Sequence, residues 1–186
     1  MYRAPLTLVA SQRHQGFSFI ELLVVVALLG ILAGLAAPSF TGLFQRYRVD
    51  AVREELIGSL QLARAEAIRQ ARTINVERQT NCAVTLATGQ DWSCGWIVYT
   101  DLNNNNSRDA ATEPIIQTVD LPPGVTVVKS NANPLNRVAS DRFGQLQPLA
   151  FSFVISPLNG PSSNGAILCG GAGSRMRTIK GATSCS

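Results

Sequence analysis

The most restrictive feature of this sequence is a nearly unbroken apolar stretch close to its amino end. Residues 17–37 read FSFIELLVVVALLGILAGLAA and contain a single charged side chain, Glu21. A helix of this length spans about 30 Å, which is the thickness of the hydrocarbon core of a bilayer. The stretch therefore predicts a transmembrane helix, and the rest of the chain has to fold on one side of a membrane.

A secretory signal peptide is the alternative interpretation of this end of the chain. Such a peptide has a basic stretch, then a shorter apolar stretch, then a cleavage site of small residues. Arg3, Arg13 and His14 supply a basic stretch under either interpretation, but the apolar run is too long for an ordinary signal peptide. The positive-inside rule keeps the short basic end in the cytoplasm. We therefore expect a single-pass protein whose folded part lies outside the cytoplasm.

The segment GFSFIELLVV, residues 16–25, resembles the type III signal of prepilins. This resemblance implies that a prepilin peptidase cuts after Gly16 and methylates the new amino terminus at Phe17. Glu21 then meets the free amine of a neighbouring subunit, which removes the cost of burying a carboxylate among apolar side chains. The resemblance also implies an inner-membrane anchor, a folded domain in the periplasm and incorporation into a filament.

A second helical segment follows the apolar stretch. Pro38 lacks an N–H donor and is expected to kink or interrupt the helix. Apolar residues then recur every three or four positions, which is the spacing of one helix face. The predicted stripe consists of Val49, Val52, Leu56, Leu60, Ala63 and Ala67. We predict an amphipathic helix over residues 38–72 whose stripe packs against the domain that follows.

The remainder of the chain, residues 73–186, has the pattern of a β domain. Short β-prone runs are separated by Gly, Pro, Asn and Ser. The predicted strands cover residues 73–79, 83–87, 95–100, 114–119, 125–128, 149–155, 165–168 and 175–179. The predicted fold class is α+β: a long amino-terminal helix, with a membrane-spanning half and an amphipathic half, packed on an antiparallel sheet or sandwich.

Two further segments carry a family resemblance. LQLARAEAIRQ, residues 60–70, and DWSCGWIVYTDLNNNN, residues 91–106, resemble the FimT/GspH family of minor pilins and pseudopilins, in which a W-x-x-G-W pattern recurs. Trp92, Gly95 and Trp96 fill that pattern, and we expect both tryptophans to be core residues. The resemblance implies a structural subunit, at the tip or in the initiation of a type IV pilus or type II secretion filament. Its partners would be other minor and major pilins or pseudopilins.

The cysteine count points to disulfides rather than to a metal. The chain has four cysteines, none in a CxxC pair and none near a histidine. An even count in an exported domain favours disulfides. Four cysteines allow three connectivities, of which locality favours Cys82–Cys94 with Cys169–Cys185.

An asparagine-rich segment has some of the spacing of a calcium loop. Oxygen-bearing side chains lie at alternate positions, and Glu113 follows. These residues are Asp101, Asn103, Asn105, Ser107 and Asp109. The match is incomplete because the sixth position is Asn106 rather than glycine and the twelfth is Thr112. A hairpin loop without any metal is the alternative, since Asn tolerates left-handed backbone.

No enzyme motif stands out. The only histidine, His14, lies in the leader over residues 1–16, which is expected to be removed. The chain has neither a GxxxxGK[ST] loop nor a GxSxG elbow. We therefore expect no catalytic activity, and no cofactor unless calcium binds the asparagine-rich segment.

The charge distribution raises DNA binding as an alternative function. From Leu121 onward there are six basic residues and one acid, whereas residues 17–120 carry eight basic and eleven acidic groups. DNA-uptake members of the resembled family carry a GRxR segment near the carboxyl end, and both arginines are absent at the matching positions here. Arg175, Arg177 and Lys180 lie just upstream and are the candidate phosphate contacts.

Overall fold

The computed structural model describes residues 16–82, 90–130 and 133–185. It forms two compact units, divided between Phe40 and Thr41. Most of the leader and the predicted strand over residues 83–87 lie outside the described residues. The nine strands below are those of the described part of the chain.

The first unit contains the beginning of a long helix, α1 (Phe19–Gln70). Its first turn is closed by the amide of Leu22, which donates to the Ser18 carbonyl at 3.2 Å. Every side chain from residue 16 to residue 34 is exposed, although most are apolar. Within the described residues, no helix meets the length and hydropathy needed to cross a membrane.

The helical state of α1 continues through Pro38, so the predicted interruption there does not occur. In the second unit, the predicted apolar stripe is confirmed. All of its members are at most 4% exposed: Val49, Val52, Leu56, Leu60, Ala63 and Ala67. The helix ends after Gln70, where Ala71 takes a positive φ of 52°.

The second unit adds two antiparallel sheets, which confirms the predicted α+β class. The strands are β1 (Thr73–Arg78), β2 (Trp96–Asp101), β3 (Ile115–Val119), β4 (Val125–Ser130), β5 (Arg137–Ser140), β6 (Leu146–Gln147), β7 (Phe151–Pro157), β8 (Ala166–Gly171) and β9 (Arg175–Lys180). One sheet has the order β3-β2-β1-β5-β6 and the other the order β4-β7-β8-β9. Strands β5 and β6 were not predicted, and the other seven match predicted runs to within a few residues.

The core forms where the stripe of α1 meets both sheets. Trp92 and Trp96 are fully buried, as predicted for the tryptophans of the W-x-x-G-W pattern. Trp92 packs edge-on against Phe153 at 4.9 Å between ring centroids. The indole N–H of Trp96 donates to the hydroxyl of Ser59 on α1 at 2.9 Å, so a buried polar group of the sheet is satisfied by the helix.

Gly95 lies between the two tryptophans and has a conformation that other residues rarely adopt. Its φ is +98°, and a Cβ atom there would lie 2.0 Å from the carbonyl oxygen of Val119. The positive φ would strain any residue with a side chain. In addition, the backbone of β3 lies too close to leave room for a Cβ atom. The glycine of the pattern therefore sets how closely β3 approaches the start of β2.

Candidate functional site

The amino-terminal segment presents the predicted processing and assembly residues at one end of α1. Gly16 and Phe17 precede the helix, and Phe17 is 82% exposed. Glu21 lies in the first turn, where the partial positive charge of a helix end favours a carboxylate. An apolar surface of this extent needs a covering of lipid or of neighbouring helices.

The three predicted phosphate contacts lie on two opposite faces of the edge strand β9. Arg175 and Arg177 are exposed, and Met176 between them packs against the core, so both arginines face away from it. Lys180 falls on the opposite face and forms an ion pair with Asp50 of α1 at 2.8 Å. The structure therefore brings Arg175 and Arg177 together and leaves Lys180 out of their cluster.

An open cleft of about 650 Å³ lies beside the two arginines. Its other lining residues are mainly small or apolar: Ala150, Cys169, Gly170, Gly171, Ala172, Met176 and Cys185. Arg177 donates through Nη2 to the carbonyl oxygen of Cys185 at 2.7 Å. The guanidinium of Arg177 is thus held against Cys185, which also lines the cleft.

Two disulfides are formed, and they are the pairs that locality favours. Cys82 bonds to Cys94, and Cys169 bonds to Cys185. The second bridge joins β8 to the last described residue of the chain. In each case a disulfide closes a short loop, which stabilises the fold by about 3 kcal/mol through the entropy of the unfolded chain.

The Asn-rich loop, residues 102–114, connects β2 to β3. Asn103, Asn105 and Asp109 each accept a hydrogen bond from a backbone amide two residues further on, at 2.8–3.0 Å. Glu113 accepts from the amides of Leu102 and Asp109. The loop is therefore organised by its own side chains, as expected for Asx turns.

Of the five predicted calcium ligands, Asp101 alone is buried, at 1% exposure, and the other four are exposed. Among the described residues, no three Asp, Glu, His or Cys side chains are grouped in a way that would hold a metal. The set of five ligands stays a prediction.

Lys129 is a buried cation that the sequence pattern does not distinguish from a surface lysine. It is fully buried in β4, and its Nζ donates to the carbonyl oxygen of Pro134 at 2.6 Å. Burial, with a smaller contribution from the nearby charge of Arg137, lowers the pKa of Lys129 to about 8. Its place in an alternating strand pattern offers no signal of this, because lysine is usually a surface residue.

A pH dependence of stability follows from Lys129. Its pKa is about 8 in the folded chain and about 10.4 when unfolded, so the unfolded state binds more protons between these values. The free energy of unfolding is expected to rise by about 2 kcal/mol from pH 8 to pH 10. Above pH 10 it should fall again, because burial raises the pKa of Tyr99 in the folded state. Urea unfolding at a series of pH values measures this, and Lys129→Met should remove the rise; a rise that persists in that variant contradicts the assignment.

Comparison with known proteins identifies the family. The model of the family described as type II transport protein GspH matches residues 53–184. The chain belongs to the GspH family. In this GspH-family chain, a second model, the prokaryotic N-terminal methylation motif, matches residues 11–37, a range that includes Gly16, Phe17 and Glu21.

One curated relative of this GspH-family chain is a pilin-like protein. The pilin-like protein PilA1 of Thermus thermophilus is 30% identical over 100 residues, which are 54% of this chain and 56% of that protein. The matched region thus spans little more than half the length of that curated relative.

Solved structures confirm the fold. The type IV minor pilin FimU of Pseudomonas aeruginosa superposes with a TM-score of 0.56 at 20% identity, over 76% of this chain and 97% of that one. A second crystal form of FimU gives a TM-score of 0.53 at 20% identity, over 74% of this chain and all of that one. At 20% sequence identity, this similarity shows a shared fold and nothing further.

Proposed function

We propose that this chain is a minor subunit of a type IV pilus or type II secretion filament, acting at the tip or in the initiation of assembly. The observation that carries the proposal is the presence, in one chain, of the methylation motif at the start of α1 and of the GspH domain after it. Its role is structural, because the family and the fold are those of pilins. Other pilins or pseudopilins are its partners in the filament.

Before assembly, the chain is a membrane-bound precursor. The precursor is anchored in the inner membrane by residues 17–37, with the folded domain in the periplasm. A prepilin peptidase removes residues 1–16 and methylates Phe17. The exposed apolar side chains of the first part of α1 support this role, since neighbouring subunits would cover them in a filament as lipid does before assembly.

The intact mass of the membrane-extracted protein tests the processing step. We expect the loss of residues 1–16 and the gain of one methyl group. Gly16→Val should leave most of the chain at precursor mass, because the peptidase requires a small residue at the cut. Gly30→Ala is the matched control, since Gly30 lies in the helix that follows and a Cβ atom there would have no neighbouring atom within 4 Å. A wild-type chain of precursor mass, or a cut after residue 37, contradicts the proposal.

The two filament systems are separated by the effect of deleting the gene. Loss of surface pili and twitching assigns the chain to a pilus. Loss of protein export across the outer membrane, with pili intact, assigns it to a type II secretion system.

DNA uptake is the second candidate function, and one observation favours it. Arg175 and Arg177 are exposed on the same face of an edge strand, so they can contact two phosphates of one strand. The full chain in detergent should bind DNA in a salt-dependent way, and Arg175→Ala with Arg177→Ala should lower the salt slope by about 1.4–1.8. Lys180→Ala, which removes one positive charge from the same strand, is the control and should leave the salt slope nearly unchanged, because Lys180 is paired with Asp50. An absence of binding at low salt excludes this function.

A further inference from the structure

The outer face of the five-stranded sheet is covered by the Asn-rich loop. Ile74 and Val76 of β1 face the core, so Asn75 between them faces outward, and Tyr99 lies opposite it on β2. Asn106 ties the loop to this face: its amide donates to Asp101 Oδ2 at 2.9 Å, and its carbonyl accepts from Arg137 at 3.0 Å. Outward-facing polar residues are buried as a result.

Two buried oxygen atoms under the loop are left without a hydrogen-bond donor. They are Oδ1 of Asp101, which is 1% exposed, and Oδ1 of Asn75, which is 0% exposed. Asn75 Nδ2 donates to Asp101 Oδ2 at 3.2 Å, so the two side chains are adjacent. Asp101 also takes part in none of the ion pairs among the described residues.

The chemistry of these two oxygen atoms indicates which kind of ligand they would bind. A buried carboxylate with no paired cation is costly, and a neutral hydrogen-bond donor would not compensate its charge. Carboxylate and amide oxygens are the ligands of hard cations. The rigid strands supply only two oxygens here, and the loop has to complete the coordination. Calcium tolerates such irregular geometry, whereas magnesium demands a near-ideal octahedron.

We propose that Asp101 and Asn75 hold a calcium ion beneath the Asn-rich loop, which supplies the remaining oxygen ligands. This site goes beyond the filament function proposed above and does not depend on it. Of the alternating residues in the loop pattern, it uses Asp101 alone. One carboxylate implies weak binding, with a Kd of about 10⁻⁴–10⁻³ M, the range of extracellular calcium modules.

The first test is thermal unfolding of the full chain in detergent, with EDTA, calcium chloride or magnesium chloride. At 10 mM calcium we expect the Tm to rise by about 3–6 °C over EDTA, with a smaller rise in magnesium. Terbium emission provides a second readout, because the Tyr99 hydroxyl lies 3.4 Å from Asn75 Nδ2 and should sensitise an ion bound there. Equal Tm values in calcium and EDTA, without terbium emission, overturn the proposal.

Substitutions at the proposed ligands test where the calcium ion binds. Asp101→Asn should abolish the calcium-dependent rise, whereas Asp109→Asn, which changes an exposed carboxylate of the same loop, should preserve it. Asn75→Asp adds a second carboxylate and should lower the Tm in EDTA while enlarging the gain from calcium. Where Asp101→Asn does not fold, Asn75→Leu, which removes one ligand at similar volume, should weaken calcium binding at least tenfold. Loss of the rise in Asp109→Asn but not in the Asp101 or Asn75 variants overturns the proposed site.

Discussion

Chains carrying Glu21→Gln are expected to remain in the membrane fraction but to fall at least tenfold in the filament fraction. Glu21 is the single charge within residues 17–37, and a carboxylate among apolar side chains costs several kcal/mol unless it is paired. We propose that Glu21 pairs with the free amine of a neighbouring subunit, so that this cost is recovered only in the filament. Glutamine keeps the shape of the side chain and removes the charge, so it loses the energy that favours assembly. A loss of about 1.4 kcal/mol per contact already lowers an equilibrium tenfold.

The measurement is an immunoblot of sheared filaments and of membranes from the same cells. Glu55→Gln is the matched control, because it removes a carboxylate from the exposed surface of the same helix outside the apolar segment. Its amount in filaments should equal that of the wild type. Wild-type amounts of Glu21→Gln chains in filaments would exclude the pairing.

The Gly95→Ala variant is expected to lose about 2–6 kcal/mol of its free energy of unfolding. Part of the loss arises because alanine is strained at a φ of +98°. The rest arises because the new Cβ would lie 2.0 Å from the Val119 carbonyl oxygen, which is backbone and moves only if β3 moves. Urea unfolding followed by tryptophan fluorescence measures the change, since Trp92 and Trp96 are both buried beside this turn.

Gly58→Ala provides the control for the same chemical change. Gly58 lies inside α1, and a Cβ there has no atom within 4 Å. Alanine should therefore raise the free energy of unfolding by about 0.5–1 kcal/mol, because it lowers the entropy of the unfolded chain. A Gly95→Ala chain as stable as the wild type would show that β3 does not depend on the close approach at Gly95.

The sequence was sufficient to predict elements whose pattern is local. The apolar stripe of α1 recurs at helical spacing, and every residue of it is buried. The strands with apolar alternation were found for the same reason. Strand β6 has two residues, too few for alternation to be recognised, and the four residues of β5 include a single β-branched side chain, Val138. The order of strands was not predictable, because β1 lies between β2 and β5, and that pairing joins segments far apart in the chain.

The candidate sites show the same division between local and distant contacts. Arg175 and Arg177 are two residues apart, which is enough to place both on one face once this segment forms a strand. Lys180 was grouped with them, but its position relative to Asp50 depends on how β9 packs against α1. Asn75 was not identified from the sequence, because a polar residue at an outward-facing position normally indicates a solvent-exposed sheet. Its burial depends on the loop that folds back from β2.

The bridge between Cys169 and Cys185 has a mechanical consequence for a subunit of a filament under tension. An edge strand pulled from its free end peels away one hydrogen bond at a time, which requires little force. Here Cys185, which follows β9, is bonded to Cys169 of β8, so tension applied at Cys185 enters the interior of the sheet directly. Strand β9 therefore bears little of the tension. The sheet comes apart only when several of its hydrogen bonds break together.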